Sequence, residues 1–248
     1  MIKKIYLTLK AIKNIQTAVL DFLGFFKNQY TIYKLRNGTE IKARTKSCDL
    51  GEVVIINADL EYPEKYFPTT NNPIIVDIGA NIGLFSIYVN NHLYQKKPII
   101  YAVEPSKQNF ELLNQNLKLN NYKNIKSYKC AISDYLGKGN LDLSASPDSY
   151  SLSKSKKNEL VAIYTIEEFC KIHQIYKIDL LKIDIEGEEE KVFYKSIDFF
   201  EKRVRSIFVE IHKNVIDQEK FEKIIDSSSF KIVDFIENRT YYLVNSNL

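Results

Sequence analysis

From residue 73 to the end of the chain, short apolar segments alternate with segments of helical pattern. The apolar segments read PIIVDIG, PIIYAVEP, NIKSYKCAI, IDLLKIDIEG and VRSIFVEIH, and helical segments such as GLFSIYVNNHLY and EEEKVFYKSIDFFEKR lie between neighbouring ones. Continuous apolar strands that alternate with helices indicate a parallel sheet covered on both faces. The last segment, FKIVDFIENRTYYLVN, predicts an antiparallel hairpin at one edge. The sequence therefore predicts an α/β fold with a seven-stranded mixed sheet.

The beginning of the chain follows a different pattern. The segment QYTIYKLRNGTEIKAR predicts a β-hairpin around Asn37-Gly38, and TTNNP further on is typical of a loop. We therefore predict an N-terminal extension of helix and hairpin, residues 1–70, and a main domain, residues 71–248. Within the main domain a Ser- and Lys-rich segment, residues 144–160, predicts a long loop. Such a loop often covers a binding site, and a solvated loop without that role explains the composition equally well.

Composition narrows the class of protein. Apolar residues make up 45% of the 248 residues and charged residues 27%, as in ordinary soluble globular proteins. The formal charge of +4 comes from 35 Lys and Arg spread along the whole chain, a distribution that does not predict a nucleic-acid partner. The three cysteines fit neither zinc-site spacing nor a disulfide framework, which favours a reducing, cytoplasmic compartment.

Apolar residues near the N-terminus recur at almost helical spacing. The residues of this pattern are Ile5, Leu9, Ile12, Val19, Leu23 and Phe26. Lysines and an aspartate interrupt the segment, so it is too short to span a bilayer, and it predicts an amphipathic helix. We favour a helix packed on its own domain. The alternative is a peripheral contact of residues 1–26 with the inner face of a membrane that carries a lipid-linked substrate.

The first predicted strand of the main domain ends in the tight turn VDIGANIG, residues 76–83. A dinucleotide-binding turn has the pattern G-x-G-x-x-G, in which the second glycine lets the backbone approach a pyrophosphate. Here Asn81 replaces the second glycine after Gly79, and Gly83 comes one residue early. Asp77 also repels a phosphate at close range and attracts a cation. S-adenosylmethionine, which has a sulfonium and an ammonium group and no phosphate, fits this turn better than NAD.

Two further carboxylates follow the next two predicted strands. Glu104 ends the second strand, where a carboxylate accepts both hydroxyl hydrogens of a ribose. NAD enzymes share this feature, so it identifies a nucleoside rather than one cofactor. Asp134 comes just after the third segment, where it is placed to meet an adenine amino group; a turn-forming aspartate explains it nearly as well.

Four motifs occur together in the main domain: VDIGANIGLFS, VEPSKQNFELLNQNLKLNN, LLKIDIEGEEE and VEIH. With these motifs and the upstream IKARTKSCDLGEV, the chain resembles the FkbM family of class I S-adenosylmethionine-dependent methyltransferases over roughly residues 40–215. The resemblance implies a Rossmann-like fold with a seven-stranded sheet. The cofactor site that it implies consists of Asp77, Gly79, Asn81 and Gly83 in the loop, Glu104 at the ribose and Asp134 near the adenine. Members of this family are best known for O-methylation of sugars, glycans and some polyketides.

A second group of polar residues lies on the fourth and fifth predicted strands. Its members are Lys182, Asp184, Glu186, Glu210 and His212. Alternate residues of a strand share a face, and the carboxyl ends of neighbouring parallel strands meet at one edge of the sheet. We therefore expect these side chains to lie together, at the edge where open α/β folds place their ligands.

The chemistry of this group has three interpretations. In the one that we favour, His212 is the general base for a sugar hydroxyl, and Asp184 or Glu210 orients a neutral imidazole. In the second, the three carboxylates and the imidazole bind a divalent metal such as Mg²⁺ or Mn²⁺, which acidifies the hydroxyl. In the third, Lys182 pairs with the carboxylates and the cluster is structural.

The sequence thus favours an O-methyltransferase that acts on a carbohydrate or a related small molecule. One alternative is a methyltransferase for RNA or for a nitrogen atom, which the even charge distribution weakens. Another, in a different class, is an NAD-dependent sugar-modifying oxidoreductase or epimerase, which the missing second glycine weakens.

Overall fold

The computed structural model describes residues 2–143, 150–152, 158–212 and 217–248. Most of the predicted long loop therefore lies outside the described residues, and its role as a lid stays a prediction. Within that segment Ser151–Leu152 is a strand, as is the chain from Asn158 onward.

Helices and strands alternate through most of the described chain. The α-helices are α1 (Ile2–Ala11), α2 (Ile15–Phe22), α3 (Asp49–Asn57), α4 (Leu84–Leu93), α5 (Lys107–Leu119), α6 (Ile166–Ile172), α7 (Glu189–Arg203) and α8 (Gln218–Asp226). The strands are β1 (Tyr30–Lys34), β2 (Glu40–Arg44), β3 (Ile74–Ile78), β4 (Ile99–Val103), β5 (Ile125–Tyr128), β6 (Ala131–Ile132), β7 (Gly137–Asp142), β8 (Ser151–Leu152), β9 (Asn158–Tyr164), β10 (Leu180–Ile183), β11 (Ser206–Glu210), β12 (Phe230–Ile236) and β13 (Thr240–Asn245).

The central sheet has seven strands in the order β12-β13-β11-β10-β3-β4-β5. Strands β11, β10, β3, β4 and β5 run parallel, and β13 pairs antiparallel with both β11 and β12 at one edge. The predicted seven-stranded mixed sheet with a C-terminal hairpin is therefore confirmed. The strand order reverses between β3 and β10, and such a switch point opens a crevice at the carboxyl ends of the strands.

Both faces of the central sheet are covered, as its continuous apolar strands predict. Neighbouring residues of β3 belong to different hydrophobic clusters: Ile75 packs in one and Val76 in the other, and both are 0% exposed. Ile100 and Tyr101 of β4 divide between the clusters in the same way. Because both faces are buried, these strands need apolar residues at every position rather than at alternate ones.

The N-terminal extension contains the predicted hairpin. Strands β1 and β2 pair antiparallel, from Tyr30 opposite Arg44 to Lys34 opposite Glu40, which confirms this element. Ile12 of the extension belongs to the same hydrophobic cluster as part of β3, so the extension and the sheet share a core. The division of the chain near residue 70 stays a prediction.

The apolar spacing predicts one N-terminal helix, but the chain forms two. Asn14, between them, accepts a hydrogen bond from the backbone N–H of Lys34 (2.8 Å) and donates one to the carbonyl of Ile32 (2.9 Å). The Asn14 side chain thus pairs with the edge of β1. This contact interrupts the helical path between Ala11 and Ile15.

The apolar pattern of these helices does not face the core. Ile12 is buried, but Ile5, Leu9 and Val19 are exposed. The extension packs on the main domain through other residues, such as Ala11. The helices thus pack on their own domain, as the favoured expectation has it, but most residues of the apolar pattern do not take part in this contact.

A second sheet, with the order β6-β9-β7-β8, is absent from the sequence prediction. The segment NIKSYKCAI, predicted as one strand, divides between the two sheets as β5 and β6. Strands β7 and β9 pair antiparallel, from Gly137 opposite Ile163 to Asp142 opposite Asn158. Strand β7 has two glycines, a lysine and an asparagine, a composition that is not typical of strands. An added Cβ at Gly139 lies 2.5 Å from Cδ1 of Ile163, so a larger residue there would push this side chain aside.

Candidate active site

A cavity of about 620 Å³ opens at the carboxyl ends of β3, β4 and β10, with the small sheet as one wall. A second cavity of about 350 Å³ lies next to it, and its walls include Tyr62 and Phe85. The two cavities share Gly79, Asn81 and Asp184 as lining residues. Both lie at the switch point of the sheet, where open α/β folds place their ligands.

The loop after β3 depends on glycine at two positions. Gly79 has a φ angle of +80°, and an added Cβ lies 1.7 Å from the carbonyl oxygen of Asp184. Gly83 has a φ angle of +92°, and a Cβ there lies 2.5 Å from a methyl carbon of Leu113. Backbone geometry therefore requires both glycines of the predicted cofactor loop. The close approach at Gly79 brings the ends of β3 and β10 together at the rim of the cavity.

Glu104, predicted to hold a ribose, lies directly after β4 and lines the first cavity. Its Oε2 accepts a hydrogen bond from the backbone N–H of Asn81 (2.8 Å), and its Oε1 accepts one from the backbone N–H of Ser106 (2.9 Å). Burial raises the pKa of Glu104 to about 7, although these N–H groups lower it. The carboxylate is thus held in place by backbone groups and retains lone pairs for hydroxyl donors.

Asp77 is not among the described residues that line either cavity, and its predicted place in the cofactor site stays a prediction. Its side chain is 0% exposed; Ser86 donates a hydrogen bond to Oδ2 (2.7 Å), and Nζ of Lys182 lies 3.5 Å from Oδ1. Burial raises the pKa of Asp77, and Lys182 lowers it. Lys182 is shared with Asp184, and Asp77 itself lies against this lysine and Ser86 rather than on a described cavity wall. It thereby positions Lys182.

The place of Asp134 near the adenine also stays a prediction. The Asp134 side chain accepts a hydrogen bond from Ser133 Oγ (3.1 Å) and is not among the described residues that line the cavity. The wall at this end is formed by Cys130, Ala131 and Ile132, which join β5 to the small sheet. An apolar wall of this kind suits a flat aromatic ring.

The wall of the first cavity is strongly acidic. Its carboxylates come from Glu104, Asp184, Glu186 and Glu188, and none of its described lining residues is Lys, Arg or His. Such a wall repels a pyrophosphate and attracts a sulfonium or ammonium cation. The predicted preference for a cation therefore rests on these four residues rather than on Asp77.

Lys182 of β10 lines the second cavity and holds the glycine loop. Its Nζ donates a hydrogen bond to the carbonyl of Gly79 (2.7 Å) and lies 3.0 Å from Asp184 and 3.5 Å from Asp77. Burial lowers the pKa of Lys182, but the carboxylates of Asp184 and Asp77 outweigh burial and raise it overall. Lys182 is therefore a permanent cation. The pairs of Lys182 with carboxylates, which are expected if the cluster is structural, are therefore present. We expect no proton transfer by Lys182.

His212 is held among three carboxylates. Its Nδ1 lies 2.9 Å from Glu189, and its Nε2 lies 3.2 Å from Glu186 and 3.8 Å from Asp184. Burial lowers the pKa of His212, but the hydrogen bonds to Glu186 and Glu189 outweigh burial and raise it to about 11. The imidazole is thus a cation at neutral pH in the free protein. This corrects the expectation of a neutral base.

Glu189 orients His212, a role that the sequence analysis assigns to Asp184 or Glu210. Glu189 is 0% exposed, and its two oxygens also accept hydrogen bonds from the backbone N–H groups of Ile185 and the residue after Glu186 (2.8 Å each). Its carboxylate therefore closes the turn between β10 and α7. Glu189 belongs to the motif EGEEE, but the sequence alone does not show which glutamate of this motif contacts His212, because that depends on the path of the chain.

Glu210 belongs to a different network. Its Oε1 lies 3.2 Å from Nη1 of Arg239, and Nη2 of Arg239 lies 2.7 Å from Glu61. Burial and the charge of Asp184 raise the pKa of Glu210 to about 9, although Arg239 lowers it. Glu61 comes from the N-terminal extension and Arg239 from the turn of the C-terminal hairpin. These residues are far apart in the sequence, so no motif or spacing predicts their contact.

Three of the four predicted metal ligands lie together. Asp184, Glu210 and His212 each offer one ligand atom, and these atoms lie within 4.8 Å of one another. Glu186, the fourth, is not part of this group among the described residues. The Nε2 atom of His212 already pairs with Glu186 and Asp184, and Arg239 pairs with Glu210. A hard ion such as Mg²⁺ would have to replace these ion pairs, and metal binding stays a prediction.

Arg44 of β2 connects the extension to the cofactor loop. The Arg44 side chain is buried, and its Nη2 lies 2.8 Å from Asp49. Its guanidinium also donates hydrogen bonds to Asn109 (2.7 Å) and Asn81 (3.4 Å). The arginine and aspartate of IKARTKSCDLGEV thus support the loop after β3.

Comparisons with known proteins agree with this architecture. A sequence profile described as the methyltransferase FkbM domain matches residues 77–243. Methyltransferase sdnD of Sordaria araneosa is 28% identical over 198 residues, which cover 65% of this chain and 75% of that protein.

Two solved structures share the fold. Methyltransferase FkbM from Methylobacillus flagellatus KT aligns with a TM-score of 0.51 and 14% identity over 80% of this chain and 55% of that chain. SMU.776, complexed with SAH, aligns with a TM-score of 0.54 and 10% identity over 88% of this chain and 57% of that chain. The chain thus spans little more than half the length of either structure.

Proposed function

We propose that this chain, which belongs to the FkbM family of S-adenosylmethionine-dependent methyltransferases, methylates a hydroxyl group of a sugar, a glycan or a related natural product. The observation that carries the proposal is the position of Asp184 and Glu186. Both carboxylates line the acidic cavity, and both also pair with His212. A group that can accept a proton therefore lies beside the place for a cationic methyl donor.

The cavity residues fit S-adenosylmethionine. Glu104 would bind the ribose hydroxyl groups, the apolar wall at Ala131 and Ile132 would hold the adenine, and Asp184 with Glu186 would balance the cationic end. When bound, this cofactor supplies a methyl group on a sulfonium, open to in-line attack by an oxygen. The acidic lining disfavours NAD, whose pyrophosphate needs positive or N–H-rich surroundings.

The second cavity supports an acceptor that carries hydroxyl groups. Glu61 and Asp184 offer carboxylate oxygens to hydroxyl donors, and Tyr62 and Phe85 offer aromatic surface. Pockets for small polar molecules combine such apolar walls with a few placed polar groups. Asp184 lines both cavities, so an acceptor bound in the second one meets the methyl donor at this residue.

His212 would collect the proton from the acceptor hydroxyl. The imidazole is protonated in the free protein because Glu186 and Glu189 surround it. A cation held beside Glu186 and Asp184 weakens the attraction of these carboxylates for the imidazole, so the pKa of His212 falls toward neutral pH. Nε2 of the imidazolium would then release its proton to solvent while Glu189 keeps the other proton on Nδ1. The freed Nε2 would accept the proton of the acceptor hydroxyl as the hydroxyl oxygen takes the methyl group from the sulfonium.

The test measures cofactor binding and turnover separately in His212→Ala. S-adenosylhomocysteine at about 100 times its Kd should stabilise both the wild type and the variant by about 2.7 kcal/mol in thermal melts, whereas NAD should stabilise neither. Methyl transfer to a panel of sugars and glycans should fall at least ~100-fold in the variant. The site of methylation is read by mass spectrometry and NMR.

His173→Ala is the matched control, because His173 packs on Tyr128 and Phe169 beside the end of α6. This variant should turn over like the wild type. Stabilisation by NAD alone, or methylation of nitrogen or RNA only, would overturn the proposal. Wild-type turnover in His212→Ala would remove His212 as the base. A loss of activity in EDTA that Mg²⁺ restores would establish the metal interpretation instead.

A further inference from the structure

The outward sides of α1 and α2 and the loop after them are apolar. We call these residues the N-terminal apolar face: Ile5, Tyr6, Leu9, Val19, Leu20, Leu23 and Phe25, which are between 43% and 68% exposed. Single exposed apolar residues are normal on a protein surface, but a contiguous set marks a contact with something else. All of these residues come from one short segment of the chain.

Asp21 determines which side of α2 faces outward. It is 4% exposed, accepts a hydrogen bond from the hydroxyl of Tyr33 (2.5 Å) and accepts another from the backbone N–H of Lys46 (2.8 Å). Burial and the hydrogen bond to Asp21 raise the pKa of Tyr33, so its phenol remains a donor. A surface helix normally turns its apolar side inward. In α2 the side that contains Asp21 faces inward instead, because both oxygens of this carboxylate accept hydrogen bonds in the interior, and Val19 is left exposed.

The exposed charged residues of the segment that carries this face have one sign. Residues 1–30 contain five lysines and one aspartate, a formal charge of +4, which equals that of the whole chain. The aspartate is the buried Asp21, whereas Lys10, Lys13 and Lys27 are exposed. Within residues 1–30 the charge at the described surface is therefore positive, and the rest of the chain is neutral overall.

We propose that the N-terminal apolar face binds the surface of an anionic lipid membrane. No helix in the described part of the chain is long and apolar enough to cross a bilayer, so the two short helices would lie in the interface. Their apolar side chains would enter the acyl region, and their lysines would meet lipid phosphates. A second copy of the chain explains this face less well, because a symmetric contact would bring lysines against lysines.

The test is flotation with lipid vesicles. The wild type should bind vesicles that contain about one third phosphatidylglycerol, and binding to pure phosphatidylcholine should be far weaker. Val19→Glu/Leu23→Glu should bind at least tenfold more weakly. Lys10→Gln/Lys13→Gln should lose roughly fivefold per lysine on anionic vesicles, the equivalent of about 1 kcal/mol per basic residue near the surface. High salt should produce a similar loss.

The control is Leu119→Glu/Leu160→Glu, which changes two apolar residues that are 41% and 63% exposed elsewhere on the molecule. It should bind as the wild type does. Equal loss in this control, equal binding to both vesicle types, or no binding to either would overturn the proposal. A dimer in lipid-free buffer that Val19→Glu/Leu23→Glu abolishes in light scattering would also overturn it, in favour of a second copy.

Discussion

The proton on His212 is held by its carboxylate neighbours. The pKa of the imidazole is about 11 in the folded protein, against about 6.5 for an unperturbed histidine. The folded-state pKa is the higher one, so His212 contributes stability that is fully present below about pH 6.5 and is lost as the pH rises through 11. Between these limits the free energy of unfolding should decline by at most about 1.4 kcal/mol per pH unit from this group.

Glu189→Gln tests this environment, because it removes the charge at Nδ1 and nearly keeps the shape. The pKa of His212 should fall, so the decline of unfolding free energy should level off at a lower pH than in the wild type. The variant should also lose about 1–3 kcal/mol at neutral pH, because a buried N–H group of the turn loses its acceptor. Urea unfolding across pH and an NMR titration of His212 measure both effects.

Glu190→Gln is the control on the same helix turn. Glu190 pairs with Lys220, away from His212. The titration of His212 should therefore be the same as in the wild type. An unshifted His212 titration in Glu189→Gln would show that Glu189 does not set its pKa.

The site residues that can be predicted from the sequence are those at the ends of strands. Glu104 and His212 follow from the sequence because parallel strands bring their carboxyl ends to one edge of the sheet. The pairing of Asp77 with Lys182 is not predictable, because the turn pattern places Asp77 near the loop without showing which side chain of the neighbouring strand lies beside it. Arg239 is unpredictable for another reason: its contacts depend on how the terminal hairpin folds back on the sheet.

At the scale of elements, the site depends on how closely two strands approach. Strands β3 and β10 pair in parallel, with Leu180 opposite Ile75, and the carbonyl of Asp184 then reaches the Cα of Gly79. Both strands are apolar runs that the sequence predicts. The small sheet, which forms the opposite wall of the cavity, escapes prediction because β7 is glycine-rich and gains its strand conformation from pairing with β9.

Gly79→Ala should disturb both stability and binding. The new Cβ meets the carbonyl of Asp184 and sits at a positive φ angle, so the end of β10 must move. We expect a loss of about 1–3 kcal/mol in unfolding free energy. Binding of S-adenosylhomocysteine should weaken at least ~10-fold, because a shift of about 1 Å in the loop after β3 already disturbs how the site holds a ligand. Urea unfolding and calorimetry measure the two quantities.

Gly51→Ala is the comparison for this variant. Gly51 lies in α3, and no atom lies within 4 Å of its added Cβ. The substitution should leave binding unchanged and should raise stability by about 0.5–1 kcal/mol, the usual gain when alanine replaces glycine in a helix. Unchanged binding in Gly79→Ala would contradict the role assigned to the close approach.

At the scale of the whole molecule, Arg239 connects the two ends of the chain. It lies in the turn of the C-terminal hairpin and pairs with Glu61 of the extension and Glu210 of β11. Glu61 lines the second cavity, so the hairpin also fixes part of that cavity's wall. The family profile ends at residue 243 and begins at residue 77, so the Glu61 contact lies outside the matched region.

Arg239→Ala should cost about 2 kcal/mol of unfolding free energy. Breaking a buried ion pair costs more, but the Arg239 side chain is 36% exposed. Burial and Asp184 already hold the pKa of Glu210 at about 9, and without the arginine this pKa rises further. The loss from the Glu210 pair should therefore appear as the pH rises through 9, and it should be larger at pH 10 than at pH 8. Arg205→Ala is the control. The Arg205 side chain is 51% exposed, and Asp179 keeps its pair with Lys177 when the arginine is removed, so this variant should lose less than about 1 kcal/mol of unfolding free energy. Equal losses in both variants would contradict this assignment.

The wall common to the two cavities limits how such an enzyme can diversify. If the two cavities hold donor and acceptor as proposed, a change at Gly79, Asn81 or Asp184 alters the handling of both at once, so selection for a new product cannot act there without loss of turnover. Residues that touch only the second cavity, such as Ile56 and Tyr62, escape this constraint. Under the proposed assignment, a library restricted to these positions should yield altered regiochemistry while preserving the affinity for the methyl donor.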